Sequence, residues 1–447
     1  MRIILVWVQI PPSAQKKEID LKKIVSFLFI INSILYSSVS FDDVETLFLS
    51  DRILEAQSML DLVEEKNENF HYLSYQIYFK LDDLNNANKS LQLAMKDNPD
   101  KYAEEGASLG ELINDLKNVS KTLSSGFVLE AIEESQVLIK KYKDNSIVHY
   151  RLGYAYKENK DYENAIINFN KAKELNPYNS LYQDEITYIA NLEILKGKEA
   201  YDVKDYQTAL EHFNKALSYD PLNTSAMFRI GNIYYAIKDY AKAAEVLEKG
   251  VELQPKNYKV LYMISKCYIA IDDSDKALSF LNKAIDIKPD YTKAFFEKAK
   301  LFKSKGDIET TKSILNDLIK IDSGYYRAYE LLMDLEISVS NLDNAVNYAN
   351  KALKASPDAY TILARLASVY NEKLDYNKAK DNAKLSLKNK RNYAPALFEL
   401  GIAEMNLCNK LAAKDAFTKC KRDRNYRKTA SNYLKAENFD YYTKHCE

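Results

Sequence analysis

The prolines of this 447-residue chain recur at a regular interval. Seven lie beyond residue 40, and six of these are separated by 78, 44, 34, 34 and 68 residues: Pro99, Pro177, Pro221, Pro255, Pro289 and Pro357. Each separation is a multiple of 34, or such a multiple plus ten. Proline ends helices because it lacks an amide proton and its ring clashes with the preceding turn. The spacing therefore predicts a helical unit that ends at the same point about every 34 residues.

Small and apolar residues repeat in the same phase as the prolines. An alanine stands twelve residues before each of the six, and the phase continues at three further alanines, with Thr311 as the exception: Ala87, Ala165, Ala209, Ala243, Ala277, Ala345, Ala131, Ala379 and Ala413. In seven of the ten units Leu or Phe follows four residues later, and a small residue usually comes three residues after that. Steps of four and three residues mark one face of an α-helix, and small residues let a second helix approach closely.

Residues 146–179 show the full pattern, with Leu152-Gly153, Tyr156, Ala165, Phe169, Ala172 and Pro177. This pattern resembles the tetratricopeptide repeat, a helix-turn-helix unit of 34 residues. The resemblance implies an all-α fold, an α-solenoid that winds as a right-handed superhelix of about ten such repeats. It also implies a protein that binds other proteins.

The repeat phase predicts the organisation of the chain. Residues 68–427 would form the array, with repeats that start at 68, 112, 146, 190, 224, 258, 292, 326, 360 and 394. Residues 41–67 would form a degenerate N-terminal helical repeat, and residues 428–447 a capping helix that covers the last apolar face. Two steps are 44 residues long, with the additional residues near 102–111 and 180–189. We expect them to lengthen two helices by about 15 Å and to make these helices protrude.

Residues 21–40 have the pattern of a secretory signal peptide. Lys22 and Lys23 precede an apolar run over 24–36, and Ser37-Ser38-Val39-Ser40 follows it, which predicts cleavage between Ser40 and Phe41. Residues 1–20 are then a non-native leader, from a start assigned too far upstream. The expected location of this bacterial protein is the periplasm or the cell exterior. The alternative is an inner-membrane anchor over 24–40, although this stretch is shorter than the roughly 20 residues of a membrane span.

The sequence contains none of the familiar catalytic or metal-binding patterns. It has four histidines and no HExxH, GxSxG, Walker or GxGxxG motif. The four cysteines include no CxxC pair, and Asp272-Asp273-Ser274-Asp275 lacks the glycine and glutamate of a calcium loop, so a helix N-cap is expected there. A formal net charge of −1 gives no general attraction to nucleic acid. We expect no enzyme activity, no cofactor, no metal and no small-molecule substrate.

The resemblance implies that positions 2, 5, 9 and 12 of each repeat line the concave groove. In the middle of the array these positions hold cations and aromatic residues, which are our candidate partner-binding residues: Lys259, Tyr262, Lys266, Lys293, Phe296, Lys300, Lys303 and Arg327. Cations attract carboxylates and aromatic rings supply apolar contact, so we expect a protein or peptide partner of acidic character. The alternative is that these lysines only form a solvated surface and bind no partner. The clamp that grips chaperone tails is not reproduced, because Met263 and Glu297 occupy two of its positions.

The function expected from these features is a non-catalytic scaffold or adaptor. The alternative is a self-assembling array of the cell envelope that dimerises through the elongated helices near 102–123 and 180–201.

The cysteines allow one plausible pairing. Cys408 is expected at the turn of the last repeat, where the terminal helix should bring Cys446 close. Cys420 lies twelve residues from Cys408, about 18 Å along a helix, which is too far for a bridge. Cys267 is expected to be buried and free.

Overall fold

The computed structural model describes residues 39–435, 439, 441 and 443–446. The leader and all but the last two residues of the signal segment therefore lie outside the described residues. Within these residues the regular elements are all helical, and the one β-bridge joins Val39 to Val63. The all-α class is confirmed. None of the helices in this part of the chain combines the length and the apolar character needed to cross a bilayer.

The chain divides into two compact units, the first ending at Asn223. Its helices are α1 (Phe41–Leu49), α2 (Ile53–Met59), α3 (Glu68–Lys80), α4 (Leu84–Asp97), α5 (Ala103–Ser124), α6 (Val128–Lys141), α7 (Ser146–Glu158), α8 (Tyr162–Leu175), α9 (Ser180–Asp202) and α10 (Tyr206–Tyr219). Consecutive helices from α3 onward pack as pairs, and each pair stacks on the next.

The second unit begins at Thr224 and repeats the same helix pair. Its helices are α11 (Thr224–Ala236), α12 (Tyr240–Leu253), α13 (Tyr258–Ala270), α14 (Ser274–Ile287), α15 (Thr292–Ser304), α16 (Ile308–Ile321), α17 (Tyr326–Ser338), α18 (Leu342–Ala355), α19 (Tyr360–Glu372), α20 (Tyr376–Asn389), α21 (Ala394–Asn406), α22 (Lys410–Cys420) and α23 (Arg427–Leu434). Each unit is thus an α-solenoid of stacked helix pairs.

The turn inside each repeat has the same backbone conformation. Its middle residue has a positive φ in every repeat, and only two of these residues are glycine: Asp82, Gly126, Lys160, Lys204, Lys238, Asp272, Gly306, Ser340, Leu374 and Cys408. The next residue is most often an Asp or Asn whose side chain accepts the amide of the third residue of the second helix, as Asp273 does from Lys276. Asp273 therefore has the N-cap role that was expected.

Close contact between paired helices explains the small residues of the pattern. A Cβ added at Gly153 would lie 2.8 Å from the ring of Phe169, and one at Gly401 would lie 2.6 Å from the ring of Phe417. Real Cβ atoms do not approach this closely. Both glycines are therefore required by packing. Their constant spacing from the Phe of the second helix indicated this contact.

The two longer steps of the repeat lengthen helices, as expected, because α5 has 22 residues and α9 has 23. The expectation that they protrude is wrong. In the additional stretches Tyr102, Leu109, Tyr182, Ile186 and Ile189 are all buried. The inserted residues therefore extend the core of the first unit.

The start of the first unit involves the last two residues of the predicted signal segment. Val39 is buried. The Ser40 hydroxyl accepts the amide of Asp43, and the Asp43 carboxylate accepts the amide of Ser40, which forms a capping box on α1.

The C-terminal segment packs on the last repeat. Helix α23 ends at Leu434, earlier than the expected cap over 428–447, and Lys435 has extended backbone. Phe439 and Thr443 are nevertheless buried. The expected Cys408–Cys446 disulfide is confirmed, with Cα atoms 5.4 Å apart. Cys267 and Cys420 are free and buried.

Candidate functional site

Aromatic side chains of α13 and α15 pack in small groups with the tyrosine that precedes the first helix of the following repeat. The ring centroid of Tyr291 lies 4.9 Å from that of Tyr258 and 5.4 Å from that of Tyr262. Phe296 stands in the same way 5.5 Å from Tyr325. Each of these rings is only partly buried. Burial and, to a lesser extent, the nearby Glu297 raise the pKa of the Tyr262 phenol, which keeps this group neutral.

Lysines border these aromatic groups. The Lys266 ammonium lies 4.9 Å from the ring centroid of Tyr235, within cation–π distance. Lys259 and Lys293 are exposed, the first 5.9 Å from the centroid of Tyr258. Among the described residues no carboxylate lies within ion-pairing distance of these three ammonium groups. These three ammonium groups therefore remain open to an external anion.

Two other lysines of the candidate set are already paired with carboxylates. Lys300 contacts Glu297 at 2.9 Å, and Lys303 lies 3.8 Å from Asp334. Arg327 lies over the ring of Tyr326, 6.0 Å from its centroid. Lys300 and Lys303 therefore have counter-charges of their own, which α15 and α17 supply.

The repeat positions did not identify several residues of this surface. Tyr291 and Tyr325 precede their helices by one residue and so fall outside the four positions that were considered. Their separation of 34 residues is a signal that could have revealed them. Arg365 contacts both Asp334 and Glu330 from two helices away. No local pattern indicated that pairing.

Two histidines of the first unit contact polar side chains of the same unit. His212 contacts the buried carboxylate of Glu193 at 2.7 Å, and His149 lies 3.4 Å from the amide oxygen of Asn168. The described part of the chain holds no group of three or more His, Cys, Asp or Glu side chains arranged for a metal ion.

Comparison with known proteins agrees with the repeat pattern. Three family models, each described as a tetratricopeptide repeat, match residues 146–179, 194–258 and 238–301. A search of the curated proteins finds no match.

Several solved structures resemble the chain. MamA is 25% identical, with a TM-score of 0.35 over 36% of this chain and 94% of MamA. YrrB, a tetratricopeptide-repeat protein with an unusual peptide-binding site, is 23% identical, with a TM-score of 0.34 over 44% of this chain and 95% of YrrB. A tetratricopeptide-repeat protein from Parabacteroides merdae ATCC 43184 is 17% identical, with a TM-score of 0.42 over 55% of this chain and 97% of that one. Because the helix pairs, the phase of their packing residues and the family models coincide, the chain belongs to the tetratricopeptide-repeat proteins.

Proposed function

We propose that this protein is a non-catalytic scaffold whose second unit binds an extended segment of a partner protein. The segment would lie along the first helix of each repeat. The observation that carries the proposal is the row of half-buried rings beside open cations, with Tyr262 and Phe296 flanked by Lys259, Lys266 and Lys293. Rings that are already partly desolvated bury further apolar area at low entropic cost, since their rotamers are fixed by packing. Tetratricopeptide-repeat proteins generally act as interaction scaffolds, which is consistent with this arrangement.

The charges on this surface define the preferred partner. Lys259, Lys266 and Lys293 can each bind a carboxylate without giving up an existing partner. Lys300 and Lys303 would first have to release Glu297 and Asp334. We therefore place the acidic part of the partner at α13 and at the start of α15, with Arg327 as an additional exposed cation on α17.

Fluorescence anisotropy with fluorescein-labelled hexaglutamate tests this proposal. Binding to the full-length chain should weaken as the salt concentration rises above about 0.15 M. The Debye length is about 8 Å at this concentration and becomes shorter above it, so dissolved ions screen the charges more strongly. Phe296→Ala should lower the affinity with little change in salt dependence, because the ring contributes apolar area. The matched control is Phe280→Ala, which removes a half-buried ring from the second helix α14. Equal affinity of the two variants, or binding that salt does not affect, would contradict the proposal.

Export to an oxidising compartment belongs to the proposed function. The Lys22–Ser40 pattern supports it, and so does the Cys408–Cys446 disulfide, because such bonds persist mainly outside the reducing cytosol. The alternative, an inner-membrane anchor over 24–40, differs only in whether the segment is retained.

Self-assembly is a second candidate, and one feature of α9 favours it. Leu181, Tyr188 and Leu195 follow one another at intervals of seven residues and are all exposed, Leu195 by 57%. This spacing would present a narrow apolar stripe to a second copy of the chain. Light scattering at increasing protein concentration tests it. A Tyr188→Lys change should abolish any concentration-dependent dimer, whereas a monomer at every concentration would exclude self-assembly.

A further inference from the structure

The first unit contains a cleft between α3, the start of α5 and the segment that leads into α7. Its main cavity has a volume of about 470 Å³ and is lined among others by Tyr75, Phe79, Glu104, Glu105, Leu109 and Tyr142. An adjoining cavity of about 390 Å³ shares Tyr75 and Phe79 and continues to Tyr72 and Asp144. We refer to the two together as the acidic cleft.

The acidic cleft has unpaired negative charge. Within the described residues no cation lies at ion-pairing distance from Glu104, Glu105 or Asp144. Lys80, which lines the adjoining cavity, and also Lys101 and Lys141 already have carboxylate partners at 2.7 Å, in the pairs Lys80–Asp51, Lys101–Glu68 and Lys141–Glu111. They therefore do not neutralise the cleft, and an incoming cation would meet open carboxylates.

The aromatic wall of the cleft suits the same kind of ligand. The ring centroids of Tyr72 and Tyr75 are 5.7 Å apart, and those of Tyr75 and Phe79 are 5.8 Å apart. Burial raises the pKa of the Tyr75 phenol, and Tyr72 and Glu105 add to this effect, so the ring stays neutral. Neutral aromatic faces attract ammonium and guanidinium groups and also pack against their aliphatic stems.

Two hydrogen bonds that do not involve Glu104, Glu105 or Asp144 fix the helices around the cleft. The Tyr102 hydroxyl donates to Glu68 at 2.7 Å, which fixes the start of α5 against α3. The Ser146 hydroxyl donates to Asp82 at 2.6 Å, which fixes the start of α7 against the turn after α3. Glu104 and Glu105 belong to the ten-residue extension of α5, so this insertion supplies one wall of the cleft.

We propose that the acidic cleft binds lysine or arginine side chains of an extended basic segment in a partner protein. The ligand chemistry is opposite to that expected for the second unit, and the proposal stands independently of it. The carboxylates supply charge-assisted hydrogen bonds and the rings supply cation–π contact.

A competing role for the two glutamates is helix stabilisation, since acidic residues in a first turn favour the helix dipole. Glu130 occupies in α6 the position that Glu105 has in α5, Glu133 lies about one turn later, and neither residue lines the two cavities of the acidic cleft. Both are exposed. The double change Glu130→Gln with Glu133→Gln is therefore a control with the same loss of charge.

Anisotropy with fluorescein-labelled hexalysine and the full-length chain tests the proposal. Glu104→Gln with Glu105→Gln should weaken binding about tenfold, because two charged contacts are lost, while the control pair should change it less than about twofold. Phe79→Ala, which leaves every charge in place, should weaken binding about fivefold. Circular dichroism should show the same helical content for all variants.

Equal weakening by the two glutamate pairs would overturn the proposal, because binding would then follow overall charge. The absence of hexalysine binding by the unchanged protein would overturn it as well. If the Glu104 and Glu105 variant fails to fold, retention of full affinity by Phe79→Ala would overturn the proposal instead.

Discussion

The carboxylate of Asp82 accepts a hydrogen bond of 2.6 Å from the hydroxyl of Ser146, and this bond joins the turn of the first repeat to the first helix of the third. Asn176 and Tyr182 also donate to Asp82, from 94 and 100 residues along the chain. In a simple repeat array each repeat contacts only the repeats next to it. The first unit therefore has a long-range polar connection in addition to its stacked helices.

Replacing Asp82 with Ala should lower the free energy of unfolding by about 2–3 kcal/mol, because three donors, including the buried Tyr182, lose their acceptor. Asp272→Ala is the matched control, since Asp272 has the same turn position and a φ of 60° against 61° for Asp82. Urea unfolding measures both. If the two variants lose equal stability, the cost arises from the turn conformation and not from the hydrogen bonds.

The shared turn conformation predicts opposite effects at two equivalent positions. Leu374 has a φ of 62°, where a side chain is strained, so Leu374→Gly should raise the free energy of unfolding by about 0.5–1 kcal/mol. Gly306 has a φ of 77° in open space, so Gly306→Ala should lower it by about 1 kcal/mol. Thermal and urea unfolding would show this. A loss of stability in Leu374→Gly would mean that its exposed side chain contributes more than the strain costs.

The four cysteines should differ sharply in reactivity. Burial raises the pKa of Cys267 to about 11 and that of Cys420 to about 12, so neither thiol should form a thiolate at pH 8. Iodoacetamide should therefore leave both unmodified in the folded chain and label both after unfolding in guanidinium. Cys408 and Cys446 should require prior reduction. Peptide mapping that finds Cys446 alkylated without reductant would rule out the disulfide.

The predicted signal cleavage has a structural cost that can be measured. Protein exported by a bacterial host should begin at Phe41, and such a chain lacks Ser40, which caps α1. It should be less stable than a chain that begins at Ser37 by about 1 kcal/mol. Intact-mass analysis identifies the N-terminus. A membrane-bound form that retains residues 1–40 would favour the anchor instead.

The repeating part of the fold was predictable because its constraints are local. Proline, alanine and glycine report helix ends and close helix contacts within about 34 residues of sequence. The repeat pattern could not show whether the inserted residues are buried in the first unit or protrude from it. Tyr182 is buried and donates to Asp82, which lies 100 residues away, and this separation is not a multiple of the 34-residue repeat.

The candidate site was predictable only in part for the same reason. Repeat position placed cations and rings on the first helices, but it could not show which cations have partners. Lys303 is paired with Asp334 from the next repeat, whereas Lys266 stacks on Tyr235 from the previous one. The acidic cleft depends on an insertion and on contacts between the first and third repeats, so the periodic pattern gave no sign of it.

A charge-reversal pair tests most directly whether the open lysines of the second unit bind an acidic partner segment. Lys266→Glu with Lys293→Glu should be compared with Lys283→Glu and Lys351→Glu, which make the same change in exposed lysines of the second helices α14 and α18. Hexaglutamate anisotropy with the full-length chain should show at least about tenfold weaker binding for the first pair, through loss of two charge-assisted contacts, and at most about twofold for the second. Helical content should not change in either. Equal affinity of the two pairs would contradict the claim.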